Sequence, residues 1–407
     1  MAQIVSGRAY FSAVSIHIVG AGMAGLAAAC TLTEAGRHVI IHESAKFAGG
    51  RCRSYLDRSL KARIDNGNHL LLSGNTASLV YLMRIGAKNS LNGPAEPVFP
   101  FVDVTSGKHW TLRLDNGRIP WWIFSRDRRI PGAKLWDYLA LAKLRRAGPD
   151  DLVAPLLGKA GALYRNLLEP LAISALNTMP DRASAAPLRA VVAETIERGG
   201  YSSIPRFARI GLSESFIDPA LEWLRARGAE IRFGDRVTAL DPWQQTVLAV
   251  PPWVAAKLVP GLTVPNEFEA IWNVHFKAKL DPGEAGFWGL IGGTAEWVFA
   301  KGDIFSVTIS AANRYADVEN DTLAATVWAE LSRAFALPAA IPPYRLVREK
   351  RATFAATPAQ LARRPATRTE TPNLMLAGDW TATGLPATIE GAIRSGNSAA
   401  LALLRQN

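Results

Sequence analysis

The apolar run Ile16-His17-Ile18-Val19 ends in Gly20-Ala21-Gly22-Met23-Ala24-Gly25 and passes straight into the alanine-rich stretch Leu26 to Ala29. A second apolar run, Val39 to His42, closes on Glu43. The pattern predicts a strand, a tight glycine turn, a helix and a second strand with a carboxylate at its tip. Farther on, Ser215 to Arg227 sets Phe216, Ile217, Leu221 and Leu224 on one helical face. Ala229 to Phe233 predicts a strand, Gly234-Asp235 a turn, and Arg236-Val237 the entry to another strand. Thr246 to Val250 is an apolar strand stopped by Pro251-Pro252, and Asn373 to Ala377 is a strand closing on Gly378-Asp379-Trp380. A loop and a helix beginning near Thr388 follow.

The intervening stretches have a different texture. Residues 81–204 read mostly as helices punctuated by Gly and Pro, such as Leu152 to Ala175 and Ala186 to Ile196. Residues 256–369 alternate better, with Ala270 to Leu280 and Asp303 to Ala311 as sheet and Asp321 to Phe335 as helix. No internal repeat or low-complexity tract interrupts them. A nucleotide-binding domain is therefore expected in three pieces, 14–80, 205–255 and 370–407. Residues 81–204 and 256–369 would build a substrate domain inserted between them.

The glycine turn carries the first chemistry. Gly20 permits the turn, Gly22 lets the backbone approach a pyrophosphate, and Gly25 lets helix and strand pack closely. The helix N-terminus at Met23-Ala24 offers N–H groups and a partial positive charge to phosphate. Glu43 stands where it can accept hydrogen bonds from ribose hydroxyls. Without a ligand, the same pattern would be a structural βαβ crossover. Gly49-Gly50-Arg51 adds a second close backbone approach and a guanidinium for phosphate oxygens. Gly289-Leu290-Ile291-Gly292-Gly293 lacks a following helix and a ribose carboxylate, so no second dinucleotide turn is expected.

Composition narrows the setting. The 407 residues suit two or three domain-sized units, and nearly half are hydrophobic, as in an ordered globular protein. Two cysteines, Cys30 and Cys52, provide no disulfide framework and suit a reducing cytoplasm. The stretch Met1 to Ala13 lacks the blocks of a signal peptide, and no apolar run reaches transmembrane length. The net charge of +11 gathers in Arg126 to Arg129, Lys143 to Arg146 and Arg345 to Arg351. No nucleic-acid motif accompanies it. The run Ile119-Pro120-Trp121-Trp122-Ile123-Phe124, the arginines after it and Leu135 to Leu141 mix aromatics with cations, as interfacial segments do. Peripheral contact with an anionic membrane is one expectation; surface charge beside a buried aromatic cluster is the other. No His, Cys or carboxylate spacing suggests a metal site.

Taken together, Gly20 to Gly25, Glu43, Gly49 to Arg53, Ala229 to Val237, Ala377 to Trp380 and Pro386 to Gly396 resemble the FAD-binding segments of the flavoprotein superfamily of amine oxidases, protoporphyrinogen oxidase and phytoene desaturases. The resemblance implies a Rossmann-like α/β fold of the amine oxidase and GDP-dissociation-inhibitor type with an inserted α+β substrate domain. It also implies FAD, with Gly50 and Arg51 near the pyrophosphate, Val237 at the adenine, and Gly378 and Asp379 at the ribityl chain. The helix starting over Thr388, Ile389 and Ala392 would face the isoalloxazine, where a helix N-terminus stabilises reduced flavin. No cysteine follows Cys52, so a cysteinyl link at the C-terminal motif is excluded and FAD is expected to be non-covalent.

Ile64-Asp65-Asn66-Gly67-Asn68-His69 to Asn75, after Gly49 to Tyr55, resembles the hydroxysqualene dehydroxylases, or squalene-associated FAD-dependent desaturases. That resemblance implies reductive removal of a hydroxyl from hydroxysqualene in bacterial squalene and hopanoid formation. Such a reaction needs a proton donor, an apolar slot and exclusion of water. His69 and Asn68 are candidates near the reacting carbon, with Asp65 or Asn66 orienting His69; a structural role for His69 is the alternative. Glu390 is a second candidate acid, or else a cap for the helix that Thr388 begins. Lys277, Lys279 or Lys301 could supply the lysine that amine oxidases place behind the flavin. The electron donor is not indicated. A phytoene-type desaturase or amine oxidase is the rival activity, and a prenyl-lipid escort protein the non-enzymatic rival.

Overall fold

The computed structural model describes residues 15–279, 281 and 283–406; the Met1 to Ala13 reading lies outside them, as does Leu280. Strands Glu230–Phe233, Val39–Glu43, Ile16–Val19, Thr246–Leu248 and Leu374–Leu376 form, in that order, a five-stranded parallel sheet. Pieces from both ends and the middle of the sequence thus meet in one layer. Parallel strands need cover on both faces. Accordingly Ile16, Ile18, Ile41, Val247 and Met375 are buried beneath the helices Met23–Glu34 and Ile389–Leu404 and the helix Asp218–Arg225.

A seven-stranded sheet runs Tyr344–Phe354, Phe268–Lys277, Ile304–Ile309, Trp297–Lys301, Phe287–Ile291, Val98–Asp103 and His109–Arg113. All neighbours are antiparallel except Phe287–Ile291 beside Val98–Asp103. Helix Asn320–Phe335 packs Leu323, Val327, Trp328 and Leu331 against Val274, Phe276, Phe305 and Val307 on one face of this sheet.

Four details depart from the expected elements. Residues 81–204 also contain the strands Val98–Asp103 and His109–Arg113, whose pairing with the larger sheet overrides a helical reading. Leu152 to Ala175 is not one helix. It breaks into Val153–Leu157, short turns and Glu169–Leu176, because Gly161 takes φ +55° and a π turn spans Tyr164–Leu168. The amphipathic helix opens with a π turn at Ser213–Ile217, and Pro219 then starts the regular segment. Arg236-Val237 forms no strand; the chain turns at Gly234 (φ +69°) and continues irregularly. The helix Ala185–Glu194, capped by Ser184, the strands Phe268–Lys277 and Ile304–Ile309 and the helix Asn320–Phe335 lie where the periodicity placed them.

Candidate functional site

The nucleotide end begins at the turn after Ile16–Val19. Gly20 takes φ +107°, and a Cβ there would lie 2.6 Å from the Ala249 carbonyl oxygen. At Gly25 a Cβ would fall 1.9 Å from the Gly20 carbonyl oxygen, so no side chain fits between helix and turn. Gly22 differs. A Cβ there would meet no protein atom within 4 Å, so packing within the protein does not require glycine. The open space lies at the N-terminus of Met23–Glu34, which has no side-chain cap. Free N–H groups beside an open glycine form a cradle for phosphate. Gly49 bridges to Gly22, which brings the Gly49-Gly50 turn, with Gly50 at φ +57°, to the same place.

Glu43, at the tip of its strand, accepts hydrogen bonds from the Ala21 and Ala45 amides at 2.9 and 2.8 Å. Its backbone carbonyl accepts from the Asp235 N–H at 2.9 Å, tying in the segment that carries Val237. Val237 packs against the cluster that holds Val19 and Leu248, the last residues of two interior strands of the parallel sheet. From the other side, Arg51 donates to both carboxylate oxygens of Asp379 at 2.8 Å and to the Ala352 carbonyl. Gly378 is fixed by its N–H to Ser395 Oγ at 2.8 Å, and Thr388 Oγ caps the C-terminal helix by accepting from Gly391. Ile389 and Ala392 lie in that helix's first turn. The expected contact residues thus come from four separated segments and fit a dinucleotide: a phosphate cradle, a ribose carboxylate, and a cation–carboxylate pair beside a helix N-terminus.

The reacting end needs corrections. Neither Asp65 nor Asn66 orients His69. Asp65 accepts from Lys301 Nζ (2.6 Å), Ser54 Oγ (2.6 Å) and the Leu212 amide (2.9 Å). Burial works against its charge, but Lys301 and these donors hold its carboxyl below the usual range. Asn66 donates to Glu349 instead, at 3.3 Å. Desolvation chiefly pulls His69 down to about 4, which favours its neutral form. Glu390 is not a free acid either, nor does it cap its own helix. Buried to 2% exposure, it accepts from the Ala77 and Ser78 amides, Ser78 Oγ and Arg394 Nε at 2.7–3.0 Å, capping the helix Thr76–Arg84 across the interface.

The polar centre falls elsewhere. Asn68 Nδ2 donates to Ser306 Oγ (2.8 Å) and Thr308 Oγ1 (3.0 Å), and Ser306 Oγ also bonds His275 Nδ1 at 2.8 Å. Thr308 Oγ1 in turn donates to Asn273 Oδ1 at 2.9 Å. A cavity of about 210 Å³ is lined by Asp65, Asn68, His275, Lys301, Ile304 and Ser306. Of the three candidate lysines only Lys301 reaches it; Lys277 pairs with Asp303 and Lys279 is exposed. His275 and Ser306 are the residues that motif reading missed, whereas Lys301 stood among its candidate lysines. They were detectable by period: Asn273 and His275 alternate with Trp272, Val274 and Phe276, and Ser306 and Thr308 with Phe305, Val307 and Ile309. Among the described residues no cluster of His, Cys, Asp and Glu could hold a metal.

Known proteins carry the same arrangement. Residues 18–83 match the NAD(P)-binding Rossmann-like domain, and residues 300–404 match the flavin containing amine oxidoreductase family. Solved structures of cyclohexylamine oxidase from Brevibacterium oxydans (TM-score 0.70, 16% identity) and of a redesigned putrescine oxidase (0.69, 17%) each cover 97% of this chain and 99% of their own, which shows the shared fold. Hydroxysqualene dehydroxylases of Sinorhizobium fredii and Rhodopseudomonas palustris are 44% and 46% identical, over 97% and 95% of this chain and 99% and 97% of theirs. That of Zymomonas mobilis is 42% identical over 94% of this chain and 97% of its own. With a dinucleotide cradle of the amine oxidase kind and relatives matching it from end to end, the chain belongs to the hydroxysqualene dehydroxylase family of FAD-dependent oxidoreductases.

Proposed function

We propose that this chain removes the hydroxyl of hydroxysqualene to give squalene and water. The end-to-end similarity to three hydroxysqualene dehydroxylases carries this reading. The matches to zeta-carotene desaturases extend over only 19% of the chain, which leaves the desaturase rival with less support. Reduced FAD supplies a hydride and a proton; the C–O bond breaks, a C–H bond forms, and the oxygen leaves as water. The protein's own tasks are binding and exclusion. Gly20, Gly22 and Gly25 with Met23 and Ala24 would seat the pyrophosphate, Glu43 the ribose and Val237 the adenine. Gly50, Arg51, Gly378 and Asp379 would hold the middle of the cofactor. Thr388, Ile389 and Ala392 would present a helix N-terminus to the flavin ring. The test offers hydroxysqualene with a flavin reductant, then phytoene or an amine with oxygen, and identifies products by mass. Squalene from the first mixture supports the reading; turnover of only the others overturns it.

We further infer peripheral contact with an anionic bilayer, on the cytoplasmic face. Ile119, Trp121, Phe124, Leu135, Trp136 and Leu139 are 43–66% exposed within a short stretch. Arg118, Arg126, Lys134 and Lys143 are exposed beside them. Aromatics rimmed by cations suit an interface between lipid and water. Among the described residues no helix is long and apolar enough to cross a membrane. Co-sedimentation with phosphatidylglycerol vesicles should fall for the Trp121→Ser, Trp136→Ser double variant and at raised salt. Unchanged sedimentation would remove the inference.

A further inference from the structure

Arg364 is a partly buried cation with no carboxylate of its own. It follows the short helix Pro358–Ala362, and its side chain reaches the irregular segment that joins Asp379 to the helix Ile389–Leu404. Nη1 donates to the Leu385 carbonyl at 2.8 Å. Nη2 donates to the carbonyls of Asp379 (3.1 Å) and Thr381 and to Thr383 Oγ1 (2.9 Å). The guanidinium carbon stands 4.9 Å from the centre of the Phe354 ring, and Nε is buried without a partner. Among the described residues Asp379 is the one carboxylate whose charge reaches this group, and both its oxygens already accept from Arg51. Glu349 acts on Arg51 and not on Arg364. Burial outweighs the attraction of Asp379 and pulls the guanidinium down to about 10. A cation taken out of water without its own counter-ion is costly, so the site favours an incoming anion.

The segment that Arg364 holds joins two of the groups proposed to bind the cofactor. Asp379 opens it, Thr388 closes it by capping the C-terminal helix, and no helix or strand lies between them. One guanidinium with four acceptors replaces the backbone ladder that the segment lacks. We propose that Arg364 is a positioning residue for FAD: its donors fix residues 379–385 between Asp379 and the helix N-terminus, and its unmet positive charge favours the reduced cofactor. Reduction adds negative charge to the flavin, so a fixed cation holds reduced FAD more tightly than oxidised FAD. Arg364 acts through the segment and through its field, not by touching the substrate. The inference rests on the reading that places Gly378, Asp379 and Thr388 at the cofactor.

The test uses the FAD-loaded enzyme and reads two quantities. FAD release after dilution is followed by flavin fluorescence, and the flavin reduction potential is measured against reference dyes. Arg364→Gln keeps amide donors and loses the charge. It should release FAD roughly tenfold faster. Its potential should fall by about 30 mV, a tenfold loss of preference for reduced FAD in a two-electron couple. Arg364→Lys keeps the charge with fewer donors; its potential should stay near wild type, with release at most about threefold faster. A wild-type potential in Arg364→Gln would overturn the proposal. Equal shifts in the two variants would overturn it too, since lost packing alone would explain them. If Arg364→Gln yields no folded protein, Thr383→Val decides, because it removes one acceptor and leaves the charge. Release roughly threefold faster at an unchanged potential then supports the proposal, and unchanged release overturns it. Asp379→Ala separates the inference from the reading beneath it. Faster release there beside a wild-type Arg364→Gln sinks the inference alone; wild-type release in both sinks the cofactor placement as well.

Discussion

The two large sheets solve opposite problems. The parallel sheet buries apolar residues on both sides, with the chain His17–His42–Asp235 on one of them, and its candidate nucleotide site sits at strand ends, in backbone N–H groups, one carboxylate and glycines. The seven-stranded sheet is apolar on one face, where Trp272, Val274, Phe276, Phe305 and Val307 meet a helix, and mixed on the other, where a polar ladder of Asn273, His275, Ser306 and Thr308 runs beside Phe287, Trp297 and Phe299. In the first, binding is done by main-chain geometry. In the second, polar side chains stand mid-strand. The contrast predicts that one half tolerates almost no change at its turns, while the other tolerates substitution at its polar mid-strand positions.

The largest effect that separates the halves is at Gly25. Gly25→Val should give no flavin-loaded protein, because even a Cβ would overlap the Gly20 carbonyl. Flavin absorbance of the purified variant reads this directly, and normal loading would refute the packing argument. On the apolar face of the other sheet, Phe276→Ala should cost about 3–5 kcal/mol in denaturant unfolding. Ser306→Ala on its mixed face should cost only about 1 kcal/mol. Equal costs would erase the distinction between faces.

Glu390 sharpens the comparison at the seam. Glu390→Ala removes the acceptor for two amide donors and leaves Arg394 only Glu194, so a loss of about 2–4 kcal/mol is expected. Turnover per bound flavin should stay within a few-fold of wild type. A collapse in turnover with unchanged stability would restore its role as an acid.

The most gradual effect comes from the buried imidazole. His275 titrates near 4 when folded, below its ordinary 6.5. Between these values the unfolded chain binds more protons, so stability rises with pH across the window and is lost on acidification. The slope is at most about 1.4 kcal/mol per pH unit from this group. Urea unfolding at several pH values should show it, and His275→Gln should reduce it, leaving the part contributed by His69, which is pulled down to about 4 as well. An unchanged slope in that variant would place the titration elsewhere.

The same contrast accounts for what was legible in the sequence. The glycine spacing, Glu43, Arg51 and Asp379 are visible because main-chain binding demands particular residues at fixed intervals. The C-terminal helix start was visible through Thr388. The strands Val98–Asp103 and His109–Arg113 were missed because their hairpin joins the sheet through Phe287–Ile291, far away in sequence, and local punctuation by Gly and Pro imitates a helical region. The break in Leu152 to Ala175 depends on Gly161 adopting positive φ, which apolar periodicity does not encode. His275 and Ser306 belong to no motif; only polar residues at period two inside buried strands mark them. Glu390 was read as a candidate acid and Asp65 as a partner for His69 because their actual donors, Ser78 and Lys301, come from other parts of the chain.

The central claim is that electrons stored on a bound flavin remove a hydroxyl from a terpene. An anaerobic single-turnover experiment tests it most directly, mixing enzyme carrying fully reduced FAD with hydroxysqualene and following the flavin spectrum and the product together. The account predicts one squalene formed for each flavin reoxidised, in step. Flavin that stays reduced, or reoxidises without yielding squalene, would contradict it.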